Sequence, residues 1–441
     1  MDTPLEILAR RVEAASRDIP KVRPRGEVLA VTPSAIIVGG LSHYLQLGSL
    51  VEVGRGADSV LAEVVRLEKG KATVKALRND AAVSLGTRVY GAGTLSVSPD
   101  ESWKGRLINS LGQAADGGAD LLNGPLPVKL RQQAPEAMSR NAVETAFATG
   151  VRVIDVFTPL CFGQRIGIFA GSGVGKSTLL SMLAGSRGFD TVVVALVGER
   201  SREVRGFVEE TLGAMAGSAI CVVSTGDESA MMRRLAPMTA TAIAEHFRDR
   251  GDRVLLIMDS VTRYAQACRD VALAAGEPPV ARGFPPSVFA DLPRLLERAG
   301  PGKRGTGSIT GLYTVLVEGD DHNDPIADTI RGILDGHIVL DRSIAEGGRF
   351  PAVDLLASIS RLADRVWTGD RRRCVVELRR LVGRYEETRD LRAMGGYTAG
   401  ADPELDRAIL VVPKLYDLLA QGPDDVRAAD AFADIAPCLS D

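Results

Sequence analysis

A hydrophobic run that breaks into a glycine turn and restarts as an apolar helix leaves little choice of fold. In this chain it reads Ile166-Gly167-Ile168-Phe169-Ala170, then Gly171-Ser172-Gly173-Val174-Gly175, then Lys176-Ser177-Thr178-Leu179-Leu180. A buried strand, a loop whose glycines lack Cβ atoms and a helix N-terminus form a cradle in which backbone N–H groups converge on phosphate oxygens. Lys176 is then set to reach the β- and γ-phosphates of a nucleotide, and the Ser177 hydroxyl to take Mg²⁺. Gly171, Ser172, Gly173, Val174, Gly175 and Thr178 complete the phosphate loop. Ala170 stands where the strict pattern has its first glycine. At average residue usage the relaxed pattern arises by chance in roughly 0.03 chains of this length, so an incidental lysine beside a glycine turn is set aside.

Bulk properties remove several classes. The chain has 441 residues, enough for two to four domains around a large core. A net charge of −3 gives no global basic footprint for nucleic acid. No apolar run approaches the roughly 20 residues of a membrane span, and no secretory signal opens the sequence. Five scattered cysteines and four histidines show no metal-ligand spacing and read as a reduced, cytosolic complement.

Four segments follow from pattern. Residues 1–22 suggest a short amphipathic helix, with Thr3-Pro4-Leu5-Glu6 resembling a capping box. It either packs on its own domain or docks a partner. Residues 23–98 carry short β-rich runs (Glu27–Val31, Ala35–Val38, Leu50–Val53, Val60–Arg66, Ala72–Ala76, Arg88–Gly91), a small barrel or sandwich. An oligonucleotide-binding role for it is disfavoured: residues 1–100 hold 13 Lys/Arg against 11 Asp/Glu, and Tyr44 and Tyr90 are their only aromatics. Residues 99–365 alternate strands and helices, an α/β core on a mostly parallel sheet. Its strand candidates are Arg165–Phe169, Thr191–Val197, Ala219–Ser224, Arg253–Met258, Leu312–Val317 and His337–Leu340. Residues 366–441 are helical in pattern, with a stripe of Val375, Leu378, Leu381, Val382 and Tyr385 and a second helix over Leu405–Gln421 kinked at Pro413.

Further residues belong with the phosphate loop. The strand Arg253–Met258 ends in Asp259, a Walker B pattern whose carboxylate can hold Mg²⁺ through water. A second strand ends in Glu199 within Gly198-Glu199-Arg200-Ser201-Arg202-Glu203. It either orients the attacking water or belongs to a solvated helix start with local ion pairs. Arg361 is either a surface arginine or one that reaches a γ-phosphate across an interface. Phe350 beside Pro351 either stacks on an adenine or packs in the core.

Taken together, AGSGVGKST, GERSREV, LLIMDSVTRYAQACRDVALAAGEPP, GSITGLYTVLVEGDDHNDPIADTIRGILDGHIVLDR and FPAVDLLASISR resemble the export ATPases of bacterial flagella and type III secretion systems, relatives of the catalytic subunit of rotary ATP synthases. The resemblance runs from about Arg25 to Ile409. It implies a RecA-like P-loop ATPase core with an N-terminal β-barrel and a C-terminal helical domain, assembled as a homo-hexamer that hydrolyses ATP with Mg²⁺. By position, Glu199 is the catalytic glutamate, Asp259 the Walker B aspartate, Arg200 and Arg263 neighbours of the γ-phosphate, and Arg361 the finger of an adjacent subunit. Phe350 is the adenine-stacking aromatic and Tyr397 a second wall. The implied partners are a stator-like regulator at the N-terminal helix, a central stalk in the pore, export-gate membrane proteins and chaperone–substrate complexes, but no nucleic acid. The implied place is the cytoplasm, peripherally at the inner membrane.

The stretch Asp227–Arg234 and the tail GGYTAGADPELDRAI favour the flagellar branch over the injectisome branch. A rotary proton-translocating subunit is disfavoured by the short tail, an RNA-translocating helicase by the neutral, aromatic-poor N-domain, and a non-catalytic ring subunit by Glu199. The proline-rich loop from Gly276 to Pro286 either lines a pore or is an ordinary connector.

Overall fold

The computed structural model describes residues 23–79, 82–143, 145–317 and 324–439. The N-terminal helix expected over residues 1–22, with its docking role, lies outside the described residues.

Six strands form the first unit: β1 (Arg25–Val31), β2 (Ile36–Gly39), β3 (Leu50–Val53), β4 (Val60–Glu68), β5 (Lys71–Ala76) and β6 (Arg88–Gly93). They pair in the closed order β1-β2-β5-β4-β3-β6, so the choice between barrel and sandwich resolves to a barrel. Alternate residues point inward, and Val28, Val38, Val51, Val53, Val64, Val74 and Val89 fill the interior.

The core sheet is built on β7 (Leu107–Asn109), β8 (Arg165–Ala170), β9 (Thr191–Glu199), β10 (Ala219–Thr225), β11 (Arg253–Asp259), β12 (Ser308–Leu316), β13 (Gly336–Leu340) and β14 (Ile359–Ser360). The order is β14-β13-β8-β12-β11-β9-β10-β7, with Gly300–Pro301 added antiparallel to β12. β7 through β13 run parallel and β14 returns antiparallel. Helices cover both faces, which is why the strands read as unbroken apolar runs. In β9, Val193, Ala195 and Val197 enter one apolar cluster while Val192, Val194 and Leu196 enter the other.

Helices α1 (Lys176–Ala184), α2 (Ser201–Gly206), α3 (Ala230–Asp249), α4 (Val261–Ala274) and α5 (Pro286–Leu296) belong to the core, and α6 (Gly369–Glu387) and α7 (Pro403–Leu419) to the tail. The predicted stripe on α6 is the buried one: Val375, Leu378, Leu381 and Val382 are inside, and Tyr385 packs at its margin. Pro403 opens α7 and the Asp402 side chain accepts from the Glu404 and Leu405 N–H groups. Pro413 lies within α7 as expected. The loop between α4 and α5 exposes Pro278, Pro279 and Val280.

The barrel is fastened to the core by a buried ion pair. Glu63 of β4 accepts from Arg234 of α3 and from Arg131, both at 2.6 Å. Burial pushes the Glu63 carboxyl up, but the two guanidiniums outweigh it and hold it below the usual carboxylate range. Ser229 adds a hydroxyl bond to Leu77 O at 2.5 Å. Removing one partner of such a pair strands the other. Glu63→Met, which leaves the buried Arg234 without its carboxylate, is therefore expected to destabilise the protein by about 3 kcal/mol, and the Glu63→Met/Arg234→Met double variant to recover most of it. Chemical denaturation of the parent protein and both variants decides this, and a double variant no more stable than Glu63→Met would contradict it.

Candidate active site

Parallel strands place all their C-terminal ends on one edge, and that edge collects the phosphate loop, Asp259 and Glu199. β8 ends at Ala170 and the loop leads into α1, whose N-cap is Gly175 at φ +88°. Glycine serves Gly175 twice over: besides the left-handed φ, a Cβ there would stand 3.4 Å from the Phe350 ring. Lys176 heads α1 and donates to Asp259 Oδ1 at 2.5 Å. Asp259, at the end of β11, is 3 % exposed. It takes a second bond on the same oxygen from Thr314 Oγ1 at 2.6 Å.

Glu199 reaches the edge through an irregularity. The pairing of β9 with β10 shifts register between Val197 and Glu199, with Gly198 at φ +71° between them. Such a bulge re-aims a side chain at the end of a strand. The Arg263 side chain of α4 packs over Gly198, where a Cβ would meet it at 3.3 Å. Arg263 also donates to Gln266 at 3.2 Å, and Ser260 caps α4 by accepting the Arg263 N–H.

A cleft of about 670 Å³ opens on this edge. Its walls bring together Lys176, Ser177, Glu199, Arg200, Arg263 and Arg342 with the phosphate-loop backbone. A second cavity of about 370 Å³ adjoins it, shares Glu203, and adds Asp259 and the π-helical turn Phe207–Leu212. Burial pushes the Glu199 carboxyl up, as do the nearby Asp259 and Glu203 carboxylates, against the opposing pull of Lys176 and Arg263. Arg200 is exposed and donates to Glu203 at 3.1 Å, so the local ion pair predicted for a solvated helix start exists beside the cleft-lining glutamate.

The residues fit a small hard cation. Ser177 offers a hydroxyl and Asp259 a buried carboxylate on the walls of one cavity. No cluster of three or more His, Cys, Asp or Glu side chains with metal-holding geometry occurs among the described residues. That is the donor set of Mg²⁺, which relies on phosphate and water oxygens for the rest of its shell.

Phe350 borders the phosphate loop at Gly175, and its carbonyl accepts the Gln421 N–H at 2.8 Å. The segment after α7 is thus its neighbour. Tyr397 instead donates its hydroxyl to Asp406 at 2.7 Å and to Asp402 O at 3.1 Å, both at the start of α7. Arg361 lies elsewhere. It follows β14, its N–H donates to Asp335 O and its guanidinium to Arg331 O at 3.2 Å. Because β14 is antiparallel, this is the N-terminal edge of the sheet. The six residues of β8 separate it from its own phosphate loop, about 17 Å at 3.3 Å per residue.

Sequence reasoning missed Thr314, Arg342 and Gln421. The threonine inside the buried run Leu312–Leu316 was a signal, since a buried hydroxyl needs a partner. Arg342 lies just past Asp341 at the end of strand candidate His337–Leu340, at the same kind of strand end as Asp259. Gln421 carries no local signal.

Comparison with known proteins agrees with this architecture. Residues 150–360 match the ATP synthase alpha/beta family, nucleotide-binding domain, and residues 367–434 match the T3SS EscN ATPase C-terminal domain. A flagellum-specific ATP synthase of Agrobacterium fabrum is 56 % identical over 94 % of this chain and 88 % of its own length. The assembled ATPase EscN of the enteropathogenic E. coli type III secretion system superposes with a TM-score of 0.87 at 38 % identity, over 94 % of this chain and 100 % of EscN. EscN in complex with its central stalk EscO superposes with a TM-score of 0.84 at the same identity and coverage.

The Glu199 environment has a consequence for stability. A carboxyl whose folded pKa lies above its unfolded one stabilises the fold fully below the usual carboxylate range and loses that contribution as pH rises through the shifted value. Glu199→Gln keeps the shape and cannot ionise. Its melting temperature without nucleotide is expected to exceed that of the parent protein by a margin that widens as pH rises above the usual carboxylate range. A margin independent of pH in thermal denaturation would contradict the assignment.

Proposed function

Because the chain belongs to the family of flagellum-specific ATP synthases and type III secretion ATPases, we propose that it hydrolyses Mg-ATP to energise flagellar protein export, at active sites completed between subunits of a ring. As a member of that family the chain is an export ATPase. The flagellar branch is preferred on the 56 % identity to a flagellum-specific relative, against 43 % to a type III secretion system ATPase of Xanthomonas euvesicatoria. The match of residues 367–434 to the EscN C-terminal domain argues against a rotary proton-translocating subunit.

The chemistry follows from the cleft. The N–H groups of Gly171–Thr178 and the positive end of α1 hold the β- and γ-phosphates, and Lys176 moves from Asp259 onto them. Ser177 directly and Asp259 through water are the residues that would hold Mg²⁺; when bound, the cation neutralises phosphoryl charge. Glu199 orients the attacking water and takes its proton, a role suited to a carboxyl whose proton affinity is raised. Arg200 and Arg263 face the γ-phosphate side of the cleft. Phe350 stacks on the adenine, with the Gln421 segment beside it; Tyr397, bonded to Asp402 and Asp406, is the weaker second wall.

The observation that carries the inter-subunit reading is the position of Arg361. It sits at the sheet edge opposite its own phosphate loop, out of reach of this chain's own nucleotide, which supports a role toward another chain's. In a hexamer each Arg361 would neutralise the γ-phosphate of its neighbour, making turnover depend on assembly. The α4–α5 loop, Gly276 to Pro286, would face the pore, where a central stalk of the EscO kind would sit. Export-gate proteins, chaperone–substrate complexes and a stator-like regulator would complete the apparatus. Hydrolysis would drive chaperone release, unfolding and delivery. Among the described residues no helix is long and apolar enough to cross a membrane, in keeping with a cytoplasmic protein bound peripherally at the export apparatus.

Two experiments test this. Glu199→Gln is expected to retain ATP binding and to lose turnover by about 10²–10⁴-fold; unaltered turnover removes Glu199 from its role. Lys176→Ala and Arg361→Ala chains are each expected to be inactive alone and to regain activity when mixed, since one supplies the phosphate loop and the other the finger. Mixed rings with no gain in ATPase activity would reject the shared site.

A further inference from the structure

Asp259 is buried, and a carboxylate so placed needs donors at each stage of turnover. Both donors described above meet the same oxygen, Oδ1, but they differ in permanence. The ammonium of Lys176 ends a flexible chain at the head of α1, and the phosphates of a bound nucleotide compete for it. No phosphate competes for the Thr314 hydroxyl in this way. Thr314 is fully buried within β12, the strand between the phosphate-loop strand and the Asp259 strand. The ladder fixes it from both sides, by Ile168↔Thr314 toward β8 and Met258↔Tyr313 toward β11. Its hydroxyl reaches Asp259 Oδ1 at 2.6 Å and, at a longer 3.3 Å, Met258 O.

We propose that Thr314 is a positioning residue that holds Asp259 in place while Lys176 exchanges between Asp259 and the nucleotide phosphates. With Thr314 present, Asp259 keeps a charge-assisted hydrogen bond after Lys176 leaves. Without it, Lys176 is the only one of the two donors left, and its departure strands a buried carboxylate. The penalty therefore falls on the nucleotide-bound state and weakens binding, although Thr314 touches no nucleotide. The proposal rests on the assignment of Lys176 and Asp259 given above.

The test is ADP affinity of the full chain, measured calorimetrically with a chelator and again with Mg²⁺. Thr314→Val removes the hydroxyl and keeps the branched shape; Thr314→Ser keeps the hydroxyl and removes the methyl. A hydrogen bond to a charged group corresponds to about tenfold or more in affinity. Thr314→Val is expected to weaken ADP binding by about tenfold in chelator, with a smaller loss in Mg²⁺, and Thr314→Ser to bind within about twofold of the parent protein. Parental affinity in Thr314→Val overturns the proposal. So does a Thr314→Ser variant as weak as Thr314→Val, which would assign the effect to packing of the methyl group. Should Thr314→Val fail to fold, Thr314→Ala against Thr314→Ser makes the same comparison. Lys176→Ala, run alongside, tests the underlying reading by itself: parental ADP affinity there would reject the phosphate-loop assignment whatever Thr314 does.

Discussion

A carboxylate almost without solvent cannot stand alone, and around Asp259 that requirement organises the active edge. Two hydrogen bonds of about 1.5–3 kcal/mol each offset a desolvation cost of several kcal/mol. To supply them, the head of α1 is drawn against the end of β11, and a hydroxyl is planted in the middle of β12. The same cluster sets the character of Glu199, whose carboxyl is pushed up by burial and then by the Asp259 charge. Two neighbouring carboxylates thus sit in different surroundings: Asp259 is bonded to Lys176 and Thr314, while the Glu199 carboxyl is pushed up by burial and by its acidic neighbours.

The polarity of a parallel sheet explains the division of labour between its two edges. Every strand from β7 to β13 delivers its last residue to the edge with the phosphate loop, and the antiparallel β14 carries a residue back to the opposite edge. Arg361 is that residue's successor. The flanking units attach by different physics. The barrel is held by a buried ion pair at Glu63, whereas Leu378, Leu381 and Leu405 of the tail share one apolar cluster with Leu179, Leu180 and Leu183 of α1. The helix that would bind phosphate at its first turn therefore packs in the same core as the tail helices.

Much of this was legible because buried parallel strands and phosphate loops write themselves locally. The six core strand candidates each overlap an observed strand, and the strand ends that carry Asp259 and Glu199 point where the sheet rule sends them. What was not legible depends on pairings distant in sequence. Barrel closure requires β6 to pair with both β1 and β3, which separates a barrel from a sandwich and leaves no trace in any one run. The two-residue strands Gly300–Pro301 and Ile359–Ser360 have no period to detect, yet the second decides which edge receives Arg361. The bulge at Gly198 and the Gln421 contact to Phe350 are likewise products of tertiary packing.

Arg361 is also held more firmly than an exposed arginine needs to be. Its N–H is fixed to Asp335 O, and the Asp335 carboxylate in turn takes the Arg165 N–H at 2.9 Å and two guanidinium bonds at 3.1 Å. Arg165 is the first residue of β8, and Ala170, the last, opens the phosphate loop. One six-residue strand, clamped between β12 and β13, therefore leads at one end into the phosphate loop and at the other holds the Asp335 that fixes the Arg361 backbone. A strand hydrogen-bonded on both sides is a rigid element of the kind through which two sites can be coupled, so the phosphate loop and the Arg361 backbone are set by one piece of the sheet.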